Sequence, residues 1–432
     1  MKRNRWILAA VCLMVCAAVC LGLAAARRET PVEGSAETPN AGPTVYTGPV
    51  LPLTVPDGEL SARRHITADL SRTDQAIVTD QYVLTNPTDA ARTVTLLYPF
   101  TGSFTSPAEI IPTLTVDGAA AETELAAGDY VGGFSNTRGE EALTPEEMFN
   151  LRYPQDGEGY LQKLQDPAYG TAALEDPALP RTPLVVYSIH RPEDPEQQVE
   201  FSCTASEDLV LWPIGYHSAA GEGNRLTYTF RSRPEMPAEV LVLGGDVTDI
   251  SLDSGSYTRT ETTLRDYLPV LAGYPLGYAP DYETVADRTS AGILVSAAAR
   301  WLADYGPFGT TPAVRYELGL DILGDLRSVE RIFFAVTEVT VPAGGSVTVE
   351  AVCIKEASYQ SGQAEKHYEW SAQPTHGLTF TEQTLTVVNT GAVLVTVETQ
   401  TADGTDTTDT VGGPAEPVAL DAETLWVRLI RS

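Results

Sequence analysis

Twenty successive uncharged residues, Ile7 to Ala26 (ILAAVCLMVCAAVCLGLAAA), follow the basic start Lys2, Arg3 and Arg5. At a rise of ~1.5 Å per residue such a run reaches across the ~30 Å hydrocarbon core of a bilayer, so it is expected to form a transmembrane helix. The basic residues before it outweigh Arg27 and Arg28, which Glu29 and Glu33 offset. The positive-inside bias then predicts a single-pass signal-anchor of the cell membrane, with residues 1–6 cytoplasmic and everything after the helix extracytoplasmic. Two alternatives stay open. A cleaved signal peptide is consistent with Ala24 and Ala26, although its apolar run would normally be ~7–15 residues. A lipoprotein is suggested by Leu13-Met14-Val15-Cys16, with Val15 where a small residue is usual. Cys12, Cys16 and Cys20 share one helix face, as a packing seam or simply as small apolar residues.

The rest of the chain must fold outside on other terms. All 58 acidic residues lie beyond Arg28, and the net formal charge is −30 over 432 residues. That surface excludes nucleic-acid binding, which needs basic groups along a phosphate backbone. It is also repelled by anionic headgroups and polyanions. Beyond the membrane segment only Cys203 and Cys353 remain, each at an apolar position of an alternating run (Val199-Phe201-Cys203 and Val347-Val349-Ala351-Cys353). Two thiols facing separate cores are expected, in preference to a disulfide.

The length predicts two or three domains. Residues 27–58 are rich in proline and glycine and are expected to be a disordered, extended stalk. From about residue 60, apolar and polar residues alternate in short runs, which predicts a mainly β fold: two or three antiparallel β-sandwich domains of Ig-like type with helical insertions. Residues 60–133 form the expected first sandwich, with turns at Asn86-Pro87-Thr88-Asp89 and Asp117-Gly118. Residues 134–180 read as a loop-rich insertion, with a helix start at Thr144-Pro145-Glu146-Glu147. Residues 181–258 read as a second sandwich. Within 259–327 one long helix is expected over 282–305, because Val285, Thr289, Ile293, Ala297, Trp301 and Tyr305 recur every four residues; its stripe should pack on a sheet. Residues 328–432 read as a third sandwich, with a tight hairpin at Pro342-Ala343-Gly344-Gly345.

In Tyr82–Phe100 (YVLTNPTDAARTVTLLYPF) and Val341–Val352 (VPAGGSVTVEAV) the chain resembles a group of surface proteins from Gram-positive, Clostridium-like bacteria, and more loosely the Ig-like modules of bacterial exteriors. The resemblance implies an N-terminal membrane segment, β-sandwich ectodomains and an extracytoplasmic address. It implies no activity and no site residues.

No G-x-S-x-G elbow, H-E-x-x-H helix, Walker loop or dinucleotide fingerprint occurs. The five histidines, His65, His190, His217, His367 and His376, lack metal-ligand spacing. Cys203 with His190 or His217 would make a thiol–imidazole pair only in an exposed, electropositive setting, opposite to the acidic, core-facing one expected. Two binding signals remain. Asp403, Asp406 and Asp409 bring hard oxygen ligands close in sequence, as Ca²⁺ prefers, without EF-hand spacing; a solvated hairpin tip accounts for them equally. Trp212 and Tyr216, with His217, would stack on a sugar ring or anchor a partner if exposed, and would be core residues if not. The function expected is therefore non-catalytic: a membrane-tethered surface protein that binds or adheres to envelope, matrix, glycan or protein partners. The alternative is a cell-envelope hydrolase built on carboxylates that no motif reveals.

Overall fold

The computed structural model describes residues 45–135, 150–152, 154, 156–175, 182–192, 197–206, 208–231, 237–274, 282–304, 320–360, 364–388, 394–411, 416–420 and 423–432. The expected transmembrane helix, the stalk before residue 45 and the helix start at Thr144 lie outside them. Among the described residues no helix is long and apolar enough to cross a membrane. The described residues belong to one compact unit, 43–432.

The fold is mainly β, with several antiparallel sheets. Its largest sheet has seven strands, in the order Val418–Ala419, Leu378–Val388, Leu60–Asp69, Gln75–Thr85, Ser346–Glu356, Thr113–Val116, Ala119–Ala120. Leu378–Val388 pairs with Leu60–Asp69 in parallel, and the other pairs are antiparallel. Two smaller sheets cover one face of it. A three-stranded sheet (Arg92–Gly102, Arg331–Val341, Glu124–Tyr130) packs over one end, enclosing Ala62, Tyr82, Leu84, Val94, Leu96, Val339 and Val349. A four-stranded sheet (Lys366–Ser371, Thr424–Arg431, Leu394–Thr401, Thr405–Val411) packs over the other, enclosing Ile66, Ala68, Val78, Trp370, Leu385, Val397 and Leu429.

Residues 60–133 and 328–432 were expected as separate sandwiches; instead they interleave within the same sheets. Two corners make this possible. The Asn86–Asp89 turn carries the chain from the seven-stranded to the three-stranded sheet, and the Pro342–Gly345 turn carries it back the other way. Pro342–Gly345 is thus an inter-sheet corner, not the expected hairpin. The corners bind each other: Asn86 N–H donates to Gly345 O at 3.0 Å, Gly344 N–H to Thr88 O at 2.8 Å, and Asn86 Nδ2 to Pro342 O at 3.2 Å. Turn chemistry fixes a reversal, but the sheet that receives the next strand is chosen by the partner corner. Asp117-Gly118 does make the expected tight turn, both residues at positive φ (49° and 78°), between Thr113–Val116 and Ala119–Ala120.

A second correction concerns the stalk. Residues 45–58 are not disordered: they lie as an extended strap against both covered ends of the large sheet. Val45 bridges Tyr359, Val50 bridges Trp370 and Thr54 bridges Leu97, while Leu51, Leu53 and Val55 are fully buried. The prolines of this stretch keep it extended, as composition predicts, but its apolar residues have cores to enter.

Where the two cores meet sits a buried ion pair. Arg64 Nε and Nη2 donate to Asp80 Oδ1 and Oδ2, each at 2.8 Å, and both side chains are 0% exposed. Arg64 Nη1 donates to Ser371 O at 2.7 Å, and Tyr82 Oη donates to Asp80 Oδ2 at 2.7 Å. Leu53 N–H of the strap donates to Tyr82 Oη at 3.1 Å. The Asp80 carboxylate holds the Arg64 guanidinium charged well above its usual range, although burial acts the other way.

Strands between Pro183 and Thr263, past the expected limit of 258, form two further four-stranded sheets that face each other across a core containing Val185, Tyr187, Phe201, Cys203, Phe230, Val240 and Val242. One is ordered Val210–Ile214, Glu239–Leu243, Pro183–His190, Ser256–Thr263; the other Tyr216–Glu222, Arg225–Arg231, Gln198–Thr204, Thr248–Leu252. The outer side of the first sheet (Leu184, Val186, Trp212, Leu241) meets the helices Leu264–Ala272 and Ala291–Asp304 and the end of the three-stranded sheet at Phe100 and Phe333. The expected helix over 282–305 is two pieces. Val285–Arg288 is closed by a capping box between Thr284 and Asp287, and Thr289 is extended (ψ 150°), so the longer helix begins at Ala291. Its buried residues, Ala297, Ala298, Trp301 and Leu302, do pack toward sheet residues.

Removing one partner of the central ion pair strands the other in an apolar interior. Asp80→Ala is expected to cost about 3–5 kcal/mol, read as a lower urea midpoint, whereas the double variant Arg64→Met/Asp80→Leu recovers most of that loss. Deleting residues 45–58 should lower the thermal midpoint and expose apolar surface to a hydrophobic dye, since the strap supplies Leu51, Leu53 and Val55 to two cores.

Candidate binding cleft

The sequence candidates part company in the structure. Trp212, in Val210–Ile214, is fully buried in the helix-facing core and is unavailable to a ligand. Tyr216, four residues on, is half-buried and lines an open cleft of about 480 Å³ between the two middle sheets. The switch occurs at Gly215, whose φ of 74° turns the chain from the edge of one sheet to the edge of the other. A Cβ there would sit 1.9 Å from Pro237 O, so no other residue fits. His217 next to Tyr216 is exposed.

The cleft walls are Leu209, Leu211 and Pro213 on one side and Ala219, Ala220 and Gly221 on the other, with Leu226 and Tyr228 among the remaining lining residues. The Tyr216 and Tyr228 rings meet edge-on, centroids 6.1 Å apart, and burial raises the Tyr228 phenol above its usual range. Ser206 and Asn224 add polar groups, and no charged side chain is among the described lining residues. A cleft of this size, uncharged and offering both polar and apolar groups, suits a ligand or a few side chains of a partner. Its second aromatic was hidden in the sequence: Leu226-Tyr228-Phe230 alternates as core strand residues do. Only the register, which pairs Tyr228 with Ala219 across from the Tyr216 edge, brings this buried ring to the cleft lining.

The acidic group takes another form. Asp403 is in the turn after Leu394–Thr401, and Asp406 and Asp409 are in the following strand, opposite Thr399 and Thr396. Asp403 and Asp406 are exposed, as at a solvated hairpin. Among the described residues no group of three or more His, Cys, Asp or Glu is arranged to hold a metal ion.

Cys203 and Cys353 are free and lie in different parts of the molecule; burial pushes their thiols up to about 11 and about 12. His65 Nδ1 is 2.7 Å from Thr384 Oγ1 and His190 Nε2 is 2.6 Å from Thr258 Oγ1, contacts that involve neither thiol.

Sequence reasoning missed one titratable pair, because Glu330 and Lys355 lie on different strands' approaches. Both line a cavity of about 50 Å³ with Tyr98 and Cys353. Lys355 Nζ donates to Thr47 O and Oγ1 of the strap, at 2.5 and 2.9 Å, while Glu330 Oε2 is buried without a hydrogen-bond partner among the described residues. Desolvation raises Glu330 to about 7 and lowers Lys355 to about 8. The cavity holds little more than a water or two, too small for a sugar or peptide group. Compared with models of protein families and with curated proteins, the chain matches none.

Gly215→Ala should destabilise the protein by about 2 kcal/mol or more, through positive φ and the clash with Pro237, seen as a lower denaturation midpoint. The Glu330–Lys355 pair makes stability dip near neutrality. Between about 4.5 and about 7 the folded protein holds a proton on Glu330 that the unfolded chain has lost, so stability falls as pH rises. From about 8 to about 10.5 the unfolded chain keeps the Lys355 proton that the folded one has lost, so stability rises. Glu330→Gln should flatten the first slope in urea midpoints measured against pH.

Proposed function

We propose that this chain is a non-catalytic, membrane-tethered protein of the cell exterior, which engages an envelope, matrix or protein partner through the cleft beside Tyr216. The observation that carries the reading is the cleft: an open space of about 480 Å³ with two aromatic rings at its wall and an uncharged lining, on a body of net charge −30. Facing sheets of the kind that build Ig-like modules, joined by short corners, support a role as a rigid presenting scaffold. The apolar N-terminal run of twenty residues supports the tether, and the acidic surface suits a body standing clear of anionic lipid. A hydrolase of the two-carboxylate kind would need its acids about 5–9 Å apart on a cleft wall. The described lining of this cleft includes neither Asp nor Glu.

Topology and binding are tested together on cells producing the chain with an epitope after Ser432. External protease should remove the epitope from intact cells. Tyr216→Ala should weaken capture of glycan or protein fractions of the envelope by about 1–2 kcal/mol or more, while the folded fraction stays unchanged. An epitope shielded from protease, or capture indifferent to Tyr216, would sink the proposal.

A further inference from the structure

The cleft is roofed on one side by a sheet edge. Among the described residues Tyr216–Glu222 is the terminal strand of its sheet and pairs only with Arg225–Arg231, so alternate N–H and C=O groups along it face outward. Exposed sheet edges are usually guarded by charge or proline. The neighbouring edges of the two middle sheets follow that rule: Thr248–Leu252 carries Asp249, Ser256–Thr263 carries Arg259 and Glu261, and Val210–Ile214 carries Pro213. Tyr216–Glu222 carries its one charge at the end, Glu222, while the stretch Ser218-Ala219-Ala220-Gly221 has neither charge nor proline, and all four residues are exposed. Three of them line the cleft.

We infer that this edge accepts an extended peptide as an added strand, with alternate apolar side chains of that peptide entering the cleft. The inference rests on the binding function proposed above and names its partner class. Small residues let a second backbone come to pairing distance, and the period of two along a strand sends every other side chain toward Leu211, Tyr216 and Tyr228. Charge completes the description of the peptide. Exposed Asp208 and Glu222 flank the lining residues Leu209 and Gly221, and Arg225, opposite Glu222, offsets one of these two charges while donating to Asp249 O at 3.1 Å and Ser251 Oγ at 2.9 Å, which leaves one net negative charge. The mouth is therefore negative and the interior uncharged, which suits a strand with Lys or Arg at its ends and Val, Ile or Leu at alternate positions. A second copy of this chain fits poorly. It brings the same net charge of −30, and the small side chains of the same strand would leave the cleft empty.

The test uses the full-length protein in detergent micelles and fluorescent ten-residue peptides. One alternates valine with threonine between terminal lysines, one has the same composition in scrambled order, and one replaces the lysines by glutamates. Binding is read by polarisation, beside a panel of neutral oligosaccharides. The alternating basic peptide should bind at least tenfold more tightly than either control. Of Ala219→Pro and Ala220→Pro, one removes an outward N–H and the other an inward one; the outward one should abolish binding at an unchanged denaturation midpoint. Ala219→Trp, which fills the cleft without touching the edge amides, should also weaken binding tenfold. Equal binding of alternating and scrambled peptides, or binding indifferent to both prolines, overturns strand addition. Oligosaccharide binding lost in Tyr216→Ala, without peptide binding, overturns it while leaving the cleft's binding role standing. Silence from both ligand sets overturns both. A dimer in sedimentation that the outward-facing proline dissolves makes a second copy the occupant and likewise refutes the peptide.

Discussion

The Arg64–Asp80 pair is the point on which the larger body of the molecule depends. One sheet of seven strands is covered by two smaller sheets, and the pair lies where their two cores meet. Arg64 donates from Nη1 to Ser371 O and from Nε and Nη2 to Asp80, and the Tyr82 hydroxyl links the network to Leu53 of the strap. Four segments distant in sequence thereby share one fully paired cluster. In a low-dielectric interior such a cluster adds little net energy over apolar packing, but it penalises every misregistered arrangement that leaves a charge alone.

That penalty matters because the body is made by interleaving. Strands from residues 60–120 and from 331–388 alternate in the same sheets, so neither end can close a core alone. The paired corners at Asn86–Asp89 and Pro342–Gly345 tie one end of this arrangement, and the strap runs along both covered ends. The middle sheets, in contrast, are continuous in sequence and hold their own core. Long-range pairing of this kind forms slowly, since the loop joining its halves must close before any contact stabilises it. A chain of local sandwiches would not meet that barrier.

The cleft follows from the same economy at smaller scale. Gly215 moves the chain between two edges in one step, which leaves the edges side by side and the space between them open. Bulky residues along Tyr216–Glu222 would close that space; small ones keep it. Edge accessibility and cleft volume are therefore consequences of one turn and four side chains.

Strand content, the turn at Asp117-Gly118, the separate cysteines and the apolar stripe of residues 291–302 were legible in the sequence, because each depends on neighbours within a few residues. So was the candidacy of Tyr216, though not its separation from Trp212, which lies at the same apolar phase. What the chain decided only on folding was partnership. Period-two alternation states that a strand has a buried face, and says nothing about which strand lies beside it. Domain limits drawn from local spacing therefore failed where residues 60–133 met 328–432. The strap was misread for a related reason: proline composition predicts extension, and extension is equally compatible with solvent and with a groove lined by Leu97 and Trp370. The Glu330–Lys355 pair and the Tyr216–Tyr228 cleft likewise exist only through register. Residues alone fix chemistry and period; proximity across long loops is set by which cores can close together.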